Sequence, residues 1–125
     1  PVEAWDKVMN LNIRSLFLFA QAVGKASMLP RKKGRIINIA SICGVAADPG
    51  FSAYNAAKAG VINATRSFAL ELAQSGVRVN VVSPGLISTP STDQTPPAIR
   101  DIWHGLRLRI VERIGATRDD LGLRR

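Results

Sequence analysis

The 125-residue sequence lacks the features that mark several specialised classes of protein. It has one cysteine, Cys43, so no disulfide can form within the chain, and no Cys/His cluster has zinc-ligand spacing. No uninterrupted apolar stretch approaches the roughly 20 residues that span a bilayer, and the first residues show no basic-then-apolar signal pattern. We therefore expect a globular protein without a bound metal or a membrane partner, located by default in the cytoplasm.

Acidic residues are also scarce: 9 Asp and Glu stand against 17 Lys and Arg, for a formal net charge of +8. An excess of this kind indicates a nucleic-acid partner when the basic residues cluster. Here the only tight cluster surrounds Gly34 in a predicted loop and contains Arg31, Lys32, Lys33 and Arg35. A solvated surface is the preferred interpretation and no nucleic-acid partner is expected. The alternative, a basic nucleic-acid binder, predicts steeply salt-dependent retention of DNA.

Hydrophobic periodicity divides the chain into helices and strands. Apolar residues recur every three or four positions from Val2 to Met28, which predicts an amphipathic helix. The short β-branched runs Arg35 to Ala40 and Val77 to Val82 predict strands. Between them, Ser52 can cap a second helix that runs to Gln74 or Ser75, where Gly76 is a natural stop.

The order strand, helix, strand predicts a parallel pair in an α/β sheet, buried on both faces and connected with right-handed crossover. Ligands of such sheets bind beyond the carboxyl ends of the strands, where Ser41 and Pro84-Gly85 lie. Because two strands leave two unpaired edges, we expect further sheet from an absent N-terminal segment or a second chain. A loop after Thr89 and a helix from Ala98 to Val111 follow.

Tyr54 and Lys58 lie four residues apart on the second predicted helix, so their side chains rise from one face. The apolar stripe of that helix places Lys58 toward the core, where an unpaired ammonium is costly. Lys58 therefore needs a partner. Taken alone, the pair is also compatible with an aromatic residue and a lysine on an ordinary helix.

Three motifs, in order and spacing, resemble the short-chain dehydrogenase/reductase family. They are Asn38-Ile39-Ala40-Ser41-Ile42-Cys43-Gly44, Tyr54-Asn55-Ala56-Ala57-Lys58-Ala59-Gly60 and Arg78-Val79-Asn80-Val81-Val82-Ser83-Pro84-Gly85. Met9 to Ile13 and the segment from Arg113 to Asp120 are similar to further family segments. The resemblance implies that residues 1–125 form a single partial domain, the catalytic half of a doubly wound, Rossmann-like parallel sheet whose N-terminal βαβ units are missing.

The resemblance also implies catalytic roles. Tyr54 would be the general acid/base at the substrate oxygen, and because a free phenol has a pKa near ~10, the Lys58 cation would favour its phenolate. Ser41 would orient the substrate oxygen, and Asn12 would hold a proton-relaying water. Each of these two residues also has a purely structural interpretation. Ser41 could be a strand-end serine that bonds the backbone, and Asn12 a core asparagine that ties the helix to the sheet.

The expected cofactor is NAD or NADP. By the same resemblance, Lys58 also binds the nicotinamide ribose beside Tyr54, while Pro84 and Gly85 turn the chain sharply against the nicotinamide. The Ile87 backbone and the Thr89 hydroxyl would contact the carboxamide. The family's glycine-rich pyrophosphate turn is not in these residues, so we expect weak cofactor binding by the isolated chain.

The leading prediction is an oxidoreductase that moves a hydride between NAD(P) and a small alcohol or ketone. By the same resemblance, the two long helices of the full-length parent would pair with a second subunit in a homodimer or homotetramer, and the apolar residues Phe17, Leu18 and Phe68 on these helices agree with this. The alternative is a truncated, catalytically silent remnant that acts at most as an oligomerisation module. The resemblance implies that residues 91–103 form a substrate lid, and His104 is expected at the surface rather than in catalysis. The substrate stays open because this region would decide it.

Overall fold

A computed structural model describes residues 1–85, 87, 89–90 and 92–98. The helix predicted from Ala98 to Val111 begins at the edge of this range, and the rest of it lies outside the described residues together with His104 and the segment from Arg113 to Asp120. No helix in the described part of the chain is long and apolar enough to cross a membrane.

The first predicted helix is confirmed as one continuous helical run. It consists of α1 (Val2–Met9), a π-helical turn (Asn10–Arg14), α2 (Ser15–Val23) and a second π-helical turn (Gly24–Met28). In each π turn a backbone N–H bonds five residues back, as the Ser15 N–H does to the Asn10 carbonyl. Such turns shift the helical face that follows them and are frequent at functional sites. The first of them contains Asn12.

Both predicted strands are confirmed, the first displaced by one residue. β1 (Gly34–Ile39) and β2 (Val77–Val82) pair in parallel from Gly34 opposite Val77 to Ile39 opposite Val82. One further bond, from the Ala40 N–H to the Val82 carbonyl at 2.8 Å, extends the pairing beyond β1. The carboxyl ends of the two strands therefore lie side by side.

The crossover helix α3 (Ser52–Leu72) continues into a 3-10 turn (Ala73–Ser75) and ends at Gly76. Gly76 has a φ of 69°, and a Cβ there would lie 2.2 Å from the Lys32 carbonyl oxygen, so the predicted stop is confirmed. The predicted capping role of Ser52 is wrong. Phe51 occupies the cap position, and its phenyl group has no oxygen to accept a helix N–H; the Asn55 N–H bonds the Phe51 carbonyl at 2.8 Å as the first bond of the helix.

Helix α3 covers one face of the strand pair. Its buried residues form two clusters with the strands, one around Val61 and Val81 and the other around Ala69 and Val79. On the opposite face Ile37 and Ile39 are 62% and 57% exposed. Burial on both faces, which the apolar runs predicted, is therefore not met within the described residues, because α3 packs against only one of the faces.

A buried polar contact fixes the strand pair against α3. The Asn38 side-chain amide donates to the Thr65 hydroxyl at 2.8 Å, and that hydroxyl donates to the Val61 carbonyl at 2.7 Å. Because a buried amide without a partner is costly, α3 cannot slide along β1 without losing this bond. The contact thus fixes the position of α3 along the direction of β1.

Candidate active site

Ser41 lies where β1 gives way to a 3-10 turn (Ile42–Gly44), as predicted for the strand end. Its backbone is extended, with a φ of −162° and a ψ of 158°, and its Oγ accepts a hydrogen bond from the Cys43 N–H at 3.2 Å. The alternative interpretation, in which Ser41 forms a hydrogen bond with the backbone, is therefore confirmed. A hydroxyl offers one donor and two acceptor positions, so the Ser41 proton is still available to a ligand.

Tyr54 and Lys58 stand one turn apart near the start of α3. The Lys58 Nζ lies 5.5 Å from the centre of the Tyr54 ring and donates to the Ile39 carbonyl at 3.0 Å. This carbonyl, at the end of β1, is the partner that the half-buried ammonium needs. Burial lowers the pKa of Lys58, because it removes water from the charged form.

A cavity of about 250 Å³ brings the end of β1 and the start of α3 together. Its lining among the described residues includes Ser41, Tyr54 and Gly85, with Ile42, Cys43, Asp48 and Phe51. The predicted serine and tyrosine thus share one cavity, and Lys58 contacts the tyrosine ring from the next helical turn. A small molecule in this cavity would lie next to both Ser41 and Tyr54.

Gly44 lets the 3-10 turn rest directly on the backbone of α3. A Cβ at Gly44 would lie 2.7 Å from the Lys58 carbonyl carbon and 2.9 Å from the Ala59 nitrogen. Real Cβ atoms essentially never come this close, so this packing requires glycine. Gly44 is not among the predicted site residues, although its position three residues after Ser41 is visible in the sequence.

Asn12 lies in the π-helical turn and is half-buried. Its side-chain amide donates to the Val8 carbonyl at 2.9 Å, so this bond ties it to its own helix rather than to the sheet. The neighbouring Ile13 packs on α3 at Gly60, where a Cβ would meet the Ile13 Cδ1 at 2.9 Å. The turn that carries Asn12 therefore contacts α3 two residues beyond Lys58.

The predicted nicotinamide contacts divide into two groups. The Pro84 carbonyl accepts from the Ile42 N–H at 3.0 Å, and Gly85 lines the cavity. Ile87 is 61% exposed, and the Thr89 hydroxyl lies 3.0 Å from the Thr92 hydroxyl; neither Ile87 nor Thr89 is among the described cavity-lining residues.

The sharp turn expected at Pro84-Gly85 is wrong for residues 83–85, which form no turn. The chain leaves β2 in irregular backbone, and Gly85 does not adopt positive φ. Among the described residues, a Cβ on Gly85 would meet Ile42 at 3.9 Å, an ordinary van der Waals contact.

Cys43, Asp48 and Phe51 line the cavity but are not among the predicted site residues. The Cys43 thiol donates to the Asp48 Oδ2 at 3.3 Å. Burial raises the pKa of the Cys43 thiol; the Ser41 hydroxyl opposes this increase and the Asp48 carboxylate adds to it. The thiol is therefore neutral near pH 7, a weak hydrogen-bond donor rather than a nucleophile. Cys43 belongs to the first of the three motifs, but its residue type does not indicate that it lines a cavity.

Comparisons with known proteins agree with this architecture. A family model described as short chain dehydrogenase matches residues 1–99. The 3-oxoacyl-[acyl-carrier-protein] reductase of Synechocystis sp. is 50% identical over 92 residues, which cover 74% of this chain and 37% of the relative.

Two solved structures share the fold. The structure of acetoin dehydrogenase from Enterobacter cloacae has a TM-score of 0.69 and 37% identity, over 74% of this chain and 38% of that one. The structure of NAD⁺-bound xylitol dehydrogenase has a TM-score of 0.71 and 34% identity, over 74% of this chain and 35% of that one. The α/β architecture is thus part of a Rossmann-like, doubly wound fold.

This chain spans about two fifths of the length of curated relatives that it matches, 37% to 41% in the first three. The family model, by contrast, covers most of the chain itself, including all three motifs and the cavity. Because residues 1–99 of the 125 match that model, the chain belongs to the short chain dehydrogenase family.

Proposed function

We propose that this chain supplies the catalytic part of an oxidoreductase that moves a hydride between NAD(P) and a small alcohol or ketone. The observation that carries the proposal is the cavity shared by Ser41 and Tyr54, with the Lys58 ammonium 5.5 Å from the tyrosine ring. Family membership supports it, since the relatives are named as reductases and dehydrogenases.

Oxidation of an alcohol removes a hydride from carbon and a proton from oxygen, and the reduction returns both. In the proposed roles, the Tyr54 hydroxyl exchanges the proton with the substrate oxygen. The Ser41 hydroxyl accepts a hydrogen bond from the Cys43 N–H and, in the proposed role, donates its own proton in a hydrogen bond to the same substrate oxygen, which it thereby orients. The Lys58 ammonium stabilises negative charge that develops on the Tyr54 oxygen, and Asn12 holds a water that relays the proton.

The residues present fit the nicotinamide end of the cofactor. The Lys58 ammonium has three N–H groups and uses one on the Ile39 carbonyl, so two can reach a ribose hydroxyl. Gly85 has no side chain and lines the same cavity as Tyr54, so a flat ring could approach its backbone there. Pro84, Ile87 and Thr89 are proposed as the other contacts. The bound cofactor, NAD or NADP, would accept or donate the hydride; the NAD⁺-bound relative supports this assignment.

The proposal is tested with the protein in its natural full length. We expect the purified protein to reduce NAD⁺ or NADP⁺ in the presence of small secondary alcohols, followed by the absorbance of the reduced nicotinamide. The isolated 125 residues, proposed to form a single partial domain, lack the glycine-rich pyrophosphate turn. Calorimetric titration should therefore show only weak cofactor binding by them. Turnover that occurs without either nicotinamide cofactor would contradict the proposal.

We also propose that the protein is cytoplasmic and assembles as a homodimer or homotetramer through its two long helices. Phe17 and Leu18 are 47% and 50% exposed, and the centre of the Phe17 ring lies 6.1 Å from that of Phe68 in α3, with the two rings tilted by 45°. These residues leave an apolar surface across both helices. We expect Leu18→Glu to shift the full-length protein toward monomer in analytical ultracentrifugation. A wild type that sediments as a monomer would contradict the assembly.

A further inference from the structure

The cavity beside Tyr54 contains a carboxylate that the proposed proton transfer does not use. Asp48 lines this cavity and is only 9% exposed. Its backbone is fixed by two hydrogen bonds: its carbonyl accepts from the Asn55 side-chain amide at 3.0 Å and from the Phe51 N–H at 3.3 Å. The turn that carries Asp48 is therefore attached to the first turn of α3, which also carries Tyr54.

The Asp48 carboxylate is poorly supplied with hydrogen-bond donors by the described residues. Its partner is the Cys43 thiol, 3.3 Å from Oδ2, and a thiol is a weak donor. An ionised carboxylate has about four acceptor positions, and burial without strong donors is costly. When a substrate displaces water from the cavity, it can supply the donors that the described residues do not offer to this carboxylate.

The other residues that line the cavity determine which hydrogen-bond donor of a substrate can reach Asp48. A carboxylate or phosphate on the substrate would meet the like charge of Asp48 at short range. A substrate ammonium would have to lose its hydration against the apolar side chains of Ile42 and Phe51, with the Lys58 ammonium beside the Tyr54 ring. A neutral hydroxyl supplies a donor at a smaller desolvation cost.

From this arrangement we infer that Asp48 is a specificity-determining residue. It favours neutral substrates that carry a second hydroxyl next to the reacting alcohol or carbonyl, and it rejects those that carry an anionic group there. The inference rests on the proposed oxidoreductase function and adds to it the substrate class, a vicinal diol or hydroxyketone.

Three alcohols of nearly equal size test the inference in the full-length protein. Propan-2-ol, propane-1,2-diol and lactate differ only in the group next to the reacting carbon, which is a methyl, a hydroxymethyl or a carboxylate. We expect wild-type kcat/KM to be roughly 10- to 100-fold higher for the diol than for lactate, the range given by a hydrogen bond to a charged group. In Asp48→Asn, which keeps the shape and removes the charge, this ratio should fall by roughly the same factor.

Asp6→Asn is the matched control, since it removes an exposed carboxylate from α1 and should leave the ratio unchanged. An Asp48→Asn ratio equal to that of wild type would overturn the inference, as would a wild type that prefers lactate. If Asp48→Asn does not fold, the wild-type ranking alone decides. Turnover of propan-2-ol that depends on Tyr54, without any preference for the diol, would leave the proposed function standing and remove the substrate class. If no alcohol is oxidised with either cofactor, both fail.

Discussion

We expect the Tyr54→Phe variant of the full-length protein to turn over alcohols roughly 10²- to 10⁴-fold more slowly than wild type, the usual contribution of general acid–base catalysis. The substitution removes one oxygen atom and keeps the ring that contacts the Lys58 ammonium at 5.5 Å. The cavity wall and the fold should therefore persist while the proton at the substrate oxygen has no acceptor. Steady-state kinetics with a saturating cofactor measures the loss as a fall in kcat.

Two measurements separate this loss from a structural one. The melting temperature of Tyr54→Phe should stay within a few degrees of wild type, because Tyr54 is only half-buried and lines a cavity. The affinity for NAD⁺ or NADP⁺, measured by fluorescence titration, should change little. A variant that retains more than a tenth of the wild-type kcat would remove Tyr54 from the proposed role and leave the acid/base without an assignment.

The strands and helices were predictable because local signals agree with the tertiary contacts. The run Val77 to Val82 alternates buried and more exposed residues against α3, and the sequence predicts both of its ends. Gly76 stops the helix with a positive φ that most other residues avoid. The face of β1 that carries Ile37 shows the limit of such reasoning: an apolar side chain indicates a strand, but not whether another element covers it.

The site was predictable only in part. Spacing along one helix shows which side chains share a face, but the spacing of residues in separate elements does not show whether they come into contact. Tyr54 and Lys58 lie four residues apart, which fixes their common face. The hydrogen bond from Cys43 to Asp48 depends on how one loop folds back, and neither residue type signals it. Similarly, glycine at position 85 suggested a sharp turn, yet its backbone takes no positive φ. The close contact of Gly44 with α3 is also a property of two elements together.

That contact leads to the second large effect, which we expect from Gly44→Ala. The added methyl would lie 2.7 to 2.9 Å from the backbone of Lys58 and Ala59, and backbone cannot rotate away as a side chain can. Overpacking of this kind costs about 1–3 kcal/mol of unfolding free energy. The 3-10 turn must move away from α3 and carry Ser41 with it. A displacement near 1 Å at a catalytic group lowers the rate roughly 10²-fold, so kcat should fall as well.

Gly60→Ala, on the same helix, is the matched control for this experiment. Its added methyl would meet the Ile13 Cδ1 at 2.9 Å, the far end of a flexible side chain that can move, and alanine favours the helix by roughly 0.5–1 kcal/mol over glycine. Urea denaturation should therefore show little change for Gly60→Ala and a clear loss for Gly44→Ala. Equal stability and equal kcat in the two variants would mean that the packing of the 3-10 turn on α3 does not position Ser41 against Tyr54.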